Sequence, residues 1–138
     1  LPPSGGSIPY YYNSIAIQPS GEPCVAYYDA TNRDLKYACN LGGCESWSFE
    51  TVDSSGDVGS HASLGIAPDG TVYIAYYDAT NGDLKVAIKE NGSWSYEVVD
   101  GEAGNVGIYA DLAVGDDGMV HISYQDADSN SMKYASGQ

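Results

Sequence analysis

An all-β protein built from repeated four-stranded antiparallel units is what the sequence predicts, and three observations carry the prediction. A fifteen-residue segment recurs almost unchanged, apolar residues alternate with a period of two, and turn residues punctuate the alternating runs. Residues 24–38 read Cys-Val-Ala-Tyr-Tyr-Asp-Ala-Thr-Asn-Arg-Asp-Leu-Lys-Tyr-Ala, and residues 73–87 read Tyr-Ile-Ala-Tyr-Tyr-Asp-Ala-Thr-Asn-Gly-Asp-Leu-Lys-Val-Ala; eleven of these fifteen positions are identical at an offset of 49. A third copy, His121 to Ala135, follows 48 residues later and keeps Ile122, Tyr124, Asp126, Ala127, Lys133 and Ala135.

Each element of the unit has its own reason. The first strand carries Ile15/Ile17, Leu64/Ile66 or Leu112/Val114, alternating with the small residues Ala16, Gly65 and Ala113. The second alternates Val25/Tyr27, Ile74/Tyr76 or Ile122/Tyr124. The third carries Leu35/Tyr37, Leu84/Val86 or Met132/Tyr134. The fourth, Trp47/Phe49 or Trp94/Tyr96, has no counterpart before Gln138. Turns fall between them at Pro19-Ser20-Gly21, Pro68-Asp69-Gly70, Asp116-Asp117-Gly118, Asn81-Gly82 and Asn91-Gly92, where φ > 0 chemistry is required. No i, i+3, i+4 apolar pattern persists long enough for a helix. A repeat of 48–49 residues falls in the range of β-propeller blades, about 40–50 residues. A β-sandwich also has short, evenly spaced strands, but it would not repeat a near-identical four-strand unit. The expected organisation is an N-terminal arm at 1–12 and β-propeller-like blades at 13–60, 61–108 and 109–138, the last lacking its fourth strand. About three blades leave the ring incomplete in one chain, since propellers close with roughly four to eight.

The string Ile-Ala-Tyr-Tyr-Asp-Ala-Thr-Asn-Gly-Asp-Leu-Lys at 74–85 resembles the tandem repeats of bacterial and archaeal extracellular β-propeller proteins. So do the paired cysteines before Trp47 and the Glu-x-Val-Asp tails at Glu50–Asp53 and Glu97–Asp100. The resemblance runs from about Tyr12 onward. It implies a fold and an extracellular location rather than an activity. The third unit departs from the motif, with Tyr124-Gln125 in place of the Tyr-Tyr pair.

Charge narrows the function. Among 138 residues, 19 Asp and Glu oppose 5 Lys and Arg, a formal charge of −14. Nucleic-acid backbones and anionic membrane surfaces are therefore poor partners, because both require clustered basic residues. No apolar run approaches the ~18 residues of a membrane span. With 43% hydrophobic and 12% aromatic residues the chain is not expected to be disordered. It starts at Leu1 without a leader pattern, which reads as a processed product or an excised segment.

Cys39 and Cys44 lie five apart around Asn40-Leu41-Gly42-Gly43, a spacing that suits a disulfide across a hairpin mouth and an oxidising compartment; two free thiols are the alternative. Cys24, inside an apolar run, is expected as a buried inert thiol. Catalytic constellations are scarce. His61 and His121 occupy non-equivalent repeat positions, His61 aligning with Tyr12 and Tyr109, and neither has a partner at zinc spacing. Arg33 is the only arginine, no Asp-box occurs, and no Ser–His–Asp set is evident. The second hairpin repeats oxygen ligands, and Asp126-x-Asp128-x-Asn130 resembles the first half of a Ca²⁺ loop. The competing reading is Asx-turn capping, and no cofactor is otherwise expected. Lys36, Lys85 and Lys133 are expected to pair with cross-strand acids such as Glu50 and Glu97. Tyr28 and Tyr77, with Tyr10 and Tyr11 of the arm, are candidate sugar-stacking residues, against the alternative of packing between blades. Asn91-Gly92-Ser93 is both an N-glycosylation sequon and a type I′ turn.

Two function classes follow, the first ranked ahead because the sequence puts its regularity into the blade itself and its open ends call for partners. The first is a non-enzymatic extracellular structural module whose chains self-associate by completing one another's sheets, as rings or filaments. The second is a carbohydrate-binding, lectin-like module or a fragment of a larger propeller protein.

Overall fold

The structure, a computed structural model, describes residues 10–42, 46–101 and 104–138, with only the strand placement of Tyr10 and Tyr11. Within these residues are eleven antiparallel strands in three sheets and no helix. The first sheet has β1 (Tyr10–Ile17), β2 (Pro23–Asp29), β3 (Asp34–Asn40) and β4 (Trp47–Asp53) side by side in chain order. The second has β5 (Val58–Ile66), β6 (Val72–Asp78), β7 (Asp83–Glu90) and β8 (Ser93–Asp100). The third has β9 (Val106–Val114), β10 (Val120–Asp126) and β11 (Ser131–Gly137).

Local chemistry explains the hairpins. In each β2–β3-type turn an aspartate caps the backbone: Asp29 Oδ1 accepts from the N–H of Thr31 and Asn32, Asp78 from Thr80 and Asn81, and Asp126 from Asp128 and Ser129. The turn closes on a left-handed residue, Arg33 (φ 64°), Gly82 (φ 81°) or Asn130 (φ 51°). The β7–β8 turn has positive φ at both Asn91 (50°) and Gly92 (83°), as a type I′ turn demands.

The sheets stack face to face, and the core lies between them. The first interface packs Ala26, Leu35, Tyr37 and Val52 of the first sheet against Leu64, Val72, Ile74 and Tyr76 of the second. The second packs Ala75, Leu84 and Val86 against Leu112, Val120, Ile122 and Tyr124. The second sheet thus presents one face to the first sheet and receives the third on the other. Burial of these apolar side chains, at about 1.5–3 kcal/mol each, is the main cohesive term.

Polar bonds repeat the same plan. Asp53, at the end of β4, accepts from Tyr76 Oη (2.6 Å) and pairs with Lys85 (2.6 Å) of the second sheet. Asp100, at the end of β8, does the same with Tyr124 Oη (2.8 Å) and Lys133 (2.7 Å) of the third. Lys85 and Lys133 therefore pair across sheets with terminal aspartates, not with Glu50 and Glu97 across strands. The strand alternation that buries Tyr76 turns Lys85 to the same inter-sheet face. Glu50 is taken instead by Lys89 and by Trp94 Nε1 (2.8 Å). Lys36 of the first sheet pairs with Asp34 at 3.2 Å.

A disulfide joins Cys24 to Cys39, which corrects the expected Cys39–Cys44 bridge and the inert Cys24 thiol. The register explains it: Cys24 stands directly opposite Cys39 in the β2–β3 ladder, with the two Cα atoms 4.1 Å apart. Cys44 lies outside the described residues.

Candidate functional site

The first strands β1, β5 and β9 lie side by side, since each sheet's first strand packs on that of its neighbour. Along their length a ladder of hydroxyls ties them together. Ser14 Oγ accepts from the N–H of Leu64 (3.0 Å), and Ser63 Oγ accepts from the N–H of Leu112 (2.9 Å). Ser63 Oγ also donates to Asp111 Oδ1 (3.3 Å), the residue at the same repeat position on β9. A short polar side chain at 14, 63 and 111 meets this requirement, and the small Gly65 leaves room for Leu112 and Val114 to approach.

Just before each ladder rung the strand bulges. Pairing registers break around Tyr12, His61 and Tyr109, and all three residues adopt left-handed φ, at 63°, 55° and 52°. A bulky non-glycine residue in this region stores about 1–3 kcal/mol of strain, a feature that clusters at ligand sites. The bulge re-aims each ring so that the three meet in a row. Tyr12 and His61 have ring centroids 4.0 Å apart, and His61 and Tyr109 4.7 Å. Tyr12 is 44% exposed and Tyr109 68% exposed, so their outer faces are wet. Half-buried between them, His61 has its imidazole pKa lowered by desolvation, which favours the neutral ring at pH 7.

A polar margin adjoins the row. The Tyr77 ring lies 6.3 Å from His61, and its Oη donates to Asn105 Oδ1 (2.9 Å). Asn105 in turn donates from its backbone N (3.1 Å) and Nδ2 (3.4 Å) to Asp128. One sheet earlier, Tyr28 Oη donates to Asp57 Oδ1 at 2.8 Å; burial, together with this bond, pushes the Tyr28 phenol up to about 12. Tyr28 and Tyr77 are thus fasteners between a sheet and the segment leading to the next one, and Tyr77 also borders the aromatic row. The side chains of Tyr10 and Tyr11 lie outside the described residues.

Each of the three candidate calcium ligands has a protein partner. Asp126 caps its turn, Asp128 holds Asn105, and Asn130 Oδ1 accepts from Gln125 Nε2 (3.1 Å). Among the described residues no group of three or more His, Cys, Asp or Glu side chains is arranged to hold a metal. Asn91 sits exposed at the β7–β8 hairpin tip. Two clefts open away from the aromatic row. One, of about 280 Å³, lies between the second and third sheets beside Tyr73, Ile88 and Val120; another, of about 380 Å³, lies between the first and second beside Cys39 and Lys89. Neither brings together exposed rings and strained backbone as the row does. The equivalence of Tyr12, His61 and Tyr109 in the repeat was the available signal for the row. What it lacked was the lateral packing of β1, β5 and β9, which turns three separated positions into neighbours.

No protein-family model and no curated protein sequence matches the chain. Its fold is similar to that of several solved structures. A fucose lectin from Kordia zhangzhouensis, in complex with methyl-fucoside, superposes with a TM-score of 0.58 at 16% identity, covering 91% of each chain. The α-L-arabinofuranosidase Arb93A from Fusarium graminearum, in complex with an iminosugar inhibitor, has a TM-score of 0.62 at 16% identity, covering 95% of this chain and 45% of the enzyme. Its E242A mutant gives the same score and identity over 92% and 44%. This chain spans less than half the length of the arabinofuranosidase, and at such identity the likeness is one of fold.

Proposed function

We propose that this chain is a non-enzymatic, carbohydrate-binding module whose three sheets are propeller blades, secreted to an oxidising, extracellular setting. The observation that carries the reading is the row of Tyr12, His61 and Tyr109, held in strained conformations with two rings facing solvent. Tyrosine rings suit the apolar C–H face of a pyranose or furanose, and their hydroxyls remain wet. Tyr77, Asn105 and Asp128 supply donors and acceptors for sugar hydroxyls at the margin. The fold likeness to a fucose lectin over nine-tenths of both chains supports this choice of ligand class. Binding is favoured over hydrolysis because Asp29, Asp53, Asp78, Asp100 and Asp126 are spent on turn caps and inter-sheet bonds. The disulfide and the tandem-repeat resemblance favour the extracellular setting.

The test is calorimetric titration of the whole chain with methyl-fucoside and with an arabinofuranoside, alongside a glycan array. Binding is expected to fall about tenfold or more in Tyr109→Ala, the loss of one stacked ring. A chain that binds no sugar, or one whose binding is unchanged in both Tyr109→Ala and Tyr12→Ala, refutes the reading.

A further inference from the structure

The inter-sheet contact occurs twice within the chain, and its two halves stand open at the ends. At each internal contact a presenting face with Leu64 or Leu112 meets a receiving face with Leu35 or Leu84, and all four side chains are nearly or wholly buried. On the first sheet the presenting face is uncovered. Ile15, the counterpart of Leu64 and Leu112, is 65% exposed against 6% and 7% for those two; Ile17 on the same strand is 58% exposed, and Phe49, on the same face two strands further across on β4, is 61% exposed. On the third sheet the receiving face is uncovered. Met132, the counterpart of the fully buried Leu35 and Leu84, is 76% exposed, and Tyr134, the counterpart of Tyr37, is 60% exposed.

We propose that these faces are the two sides of one more such contact, made between two copies of this chain. The polar pattern fixes the register. Leu64 N–H goes to Ser14 and Leu112 N–H to Ser63, so the next rung takes Ile15 N–H of one copy to Asp111 of the other. Asp111 stands exposed at the ladder's open end, with Oδ1 beside Ser63 Oγ and its other oxygen available. The contact continues the apolar packing and the strand-to-strand rung of an interface already formed twice, without the Tyr–Asp–Lys bond that the fourth strands β4 and β8 supply to the inner contacts. It is made face to face, in place of the edge pairing along β11 that the open sheet edge suggests. With three sheets among the described residues of each copy and closure at roughly four to eight blades, two copies make a six-sheet ring with both contacts alike. That count rests on the blade reading of the sheets; sugar binding does not enter it, so the two proposals fail separately. Closure places two sets of Tyr12, His61 and Tyr109 around one centre.

Native mass spectrometry and analytical ultracentrifugation of the whole chain test this. The expected species has twice the 14.5 kDa chain mass across the micromolar range. Ile15→Asp and Met132→Asp, both at exposed positions, are each expected to give a folded monomer by circular dichroism, while Leu41→Asp, at a 69% exposed hairpin site, leaves the dimer intact. Asp111→Ala is expected to weaken the dimer about tenfold, the loss of one charge-assisted hydrogen bond. Mixing the Ile15→Asp and Met132→Asp chains restores a dimer through the one contact left unaltered in the pair, which a like-to-like interface would not do. A wild-type monomer, an open-ended polymer, or a dimer indifferent to both aspartate variants overturns the proposal. A monomer assigns the two faces to another occupant, further sheets of a longer chain among them.

Discussion

Replacing Asp53 by asparagine tests the polar bond between the first two sheets. Asp53 is 8% exposed and accepts from Tyr76 Oη while pairing with Lys85 at 2.6 Å. Burial alone would raise its pKa; the Lys85, Ser55 and Tyr76 hydrogen bonds outweigh that and hold it at about 2, against 3.8 for the free group. Because the folded value is depressed, the stabilisation is fully present above the unfolded pKa and is lost as pH falls through the folded one. Linkage puts the titrating part at about 2 kcal/mol at pH 7, with roughly half remaining at pH 3. The Asp53→Asn variant keeps an acceptor for Tyr76 but leaves Lys85 nearly buried without its counter-charge, so the whole cost at pH 7 is expected near ~3 kcal/mol. Urea unfolding of both proteins at pH 7, 5 and 3 is the assay. The gap should hold from pH 7 to 5 and narrow by about 1 kcal/mol at pH 3. A gap that stays constant over this range, or one below about 0.5 kcal/mol at pH 7, refutes the inter-sheet ion pair as a stabilising bond.

Gly59 has φ 104°, and a Cβ there would lie 2.7 Å from the Leu35 Cα, a backbone atom that cannot yield; Gly21, at φ 103°, has nothing within 4 Å. Thermal or urea unfolding should therefore show Gly59→Ala losing about 3 kcal/mol and Gly21→Ala only about 1, and equal losses would contradict the close approach. Peptide mapping under non-reducing conditions should recover a Cys24–Cys39 link with Cys44 alkylated, and reduction should cost about 3 kcal/mol for a 15-residue separation. Recovery of a Cys39–Cys44 link would reverse that assignment. Ser63→Ala removes the acceptor for Leu112 N–H and should destabilise by about 1–2 kcal/mol, with Ser20→Ala, an exposed turn residue, as the near-neutral comparison.

Much of the strand layout was legible because its determinants are local. Period-two alternation, Asn-Gly and Pro-x-Gly turns and an aspartate that caps the residues two and three ahead act within a few positions, and they recur with the unit. The assignment of each polar side chain was not legible in the same way. Lys85 pairs with Asp53, 32 residues back, and Ser14 meets Leu64, 50 residues on. Such partners are chosen by which face of one sheet meets which face of the next. Cys24 shows the same limit at closer range, since the β2–β3 register seats it opposite Cys39 whatever the spacing to Cys44.

The repeat, the all-β class and the acidic turns follow from residues near one another in the chain, so the amino-acid order was enough to establish them. The stacking of the sheets was needed to bring Tyr12, His61 and Tyr109 into one row, and to leave Ile15 and Met132 exposed where their counterparts are buried. A sheet's two faces are equivalent in sequence pattern until a neighbouring sheet covers one of them.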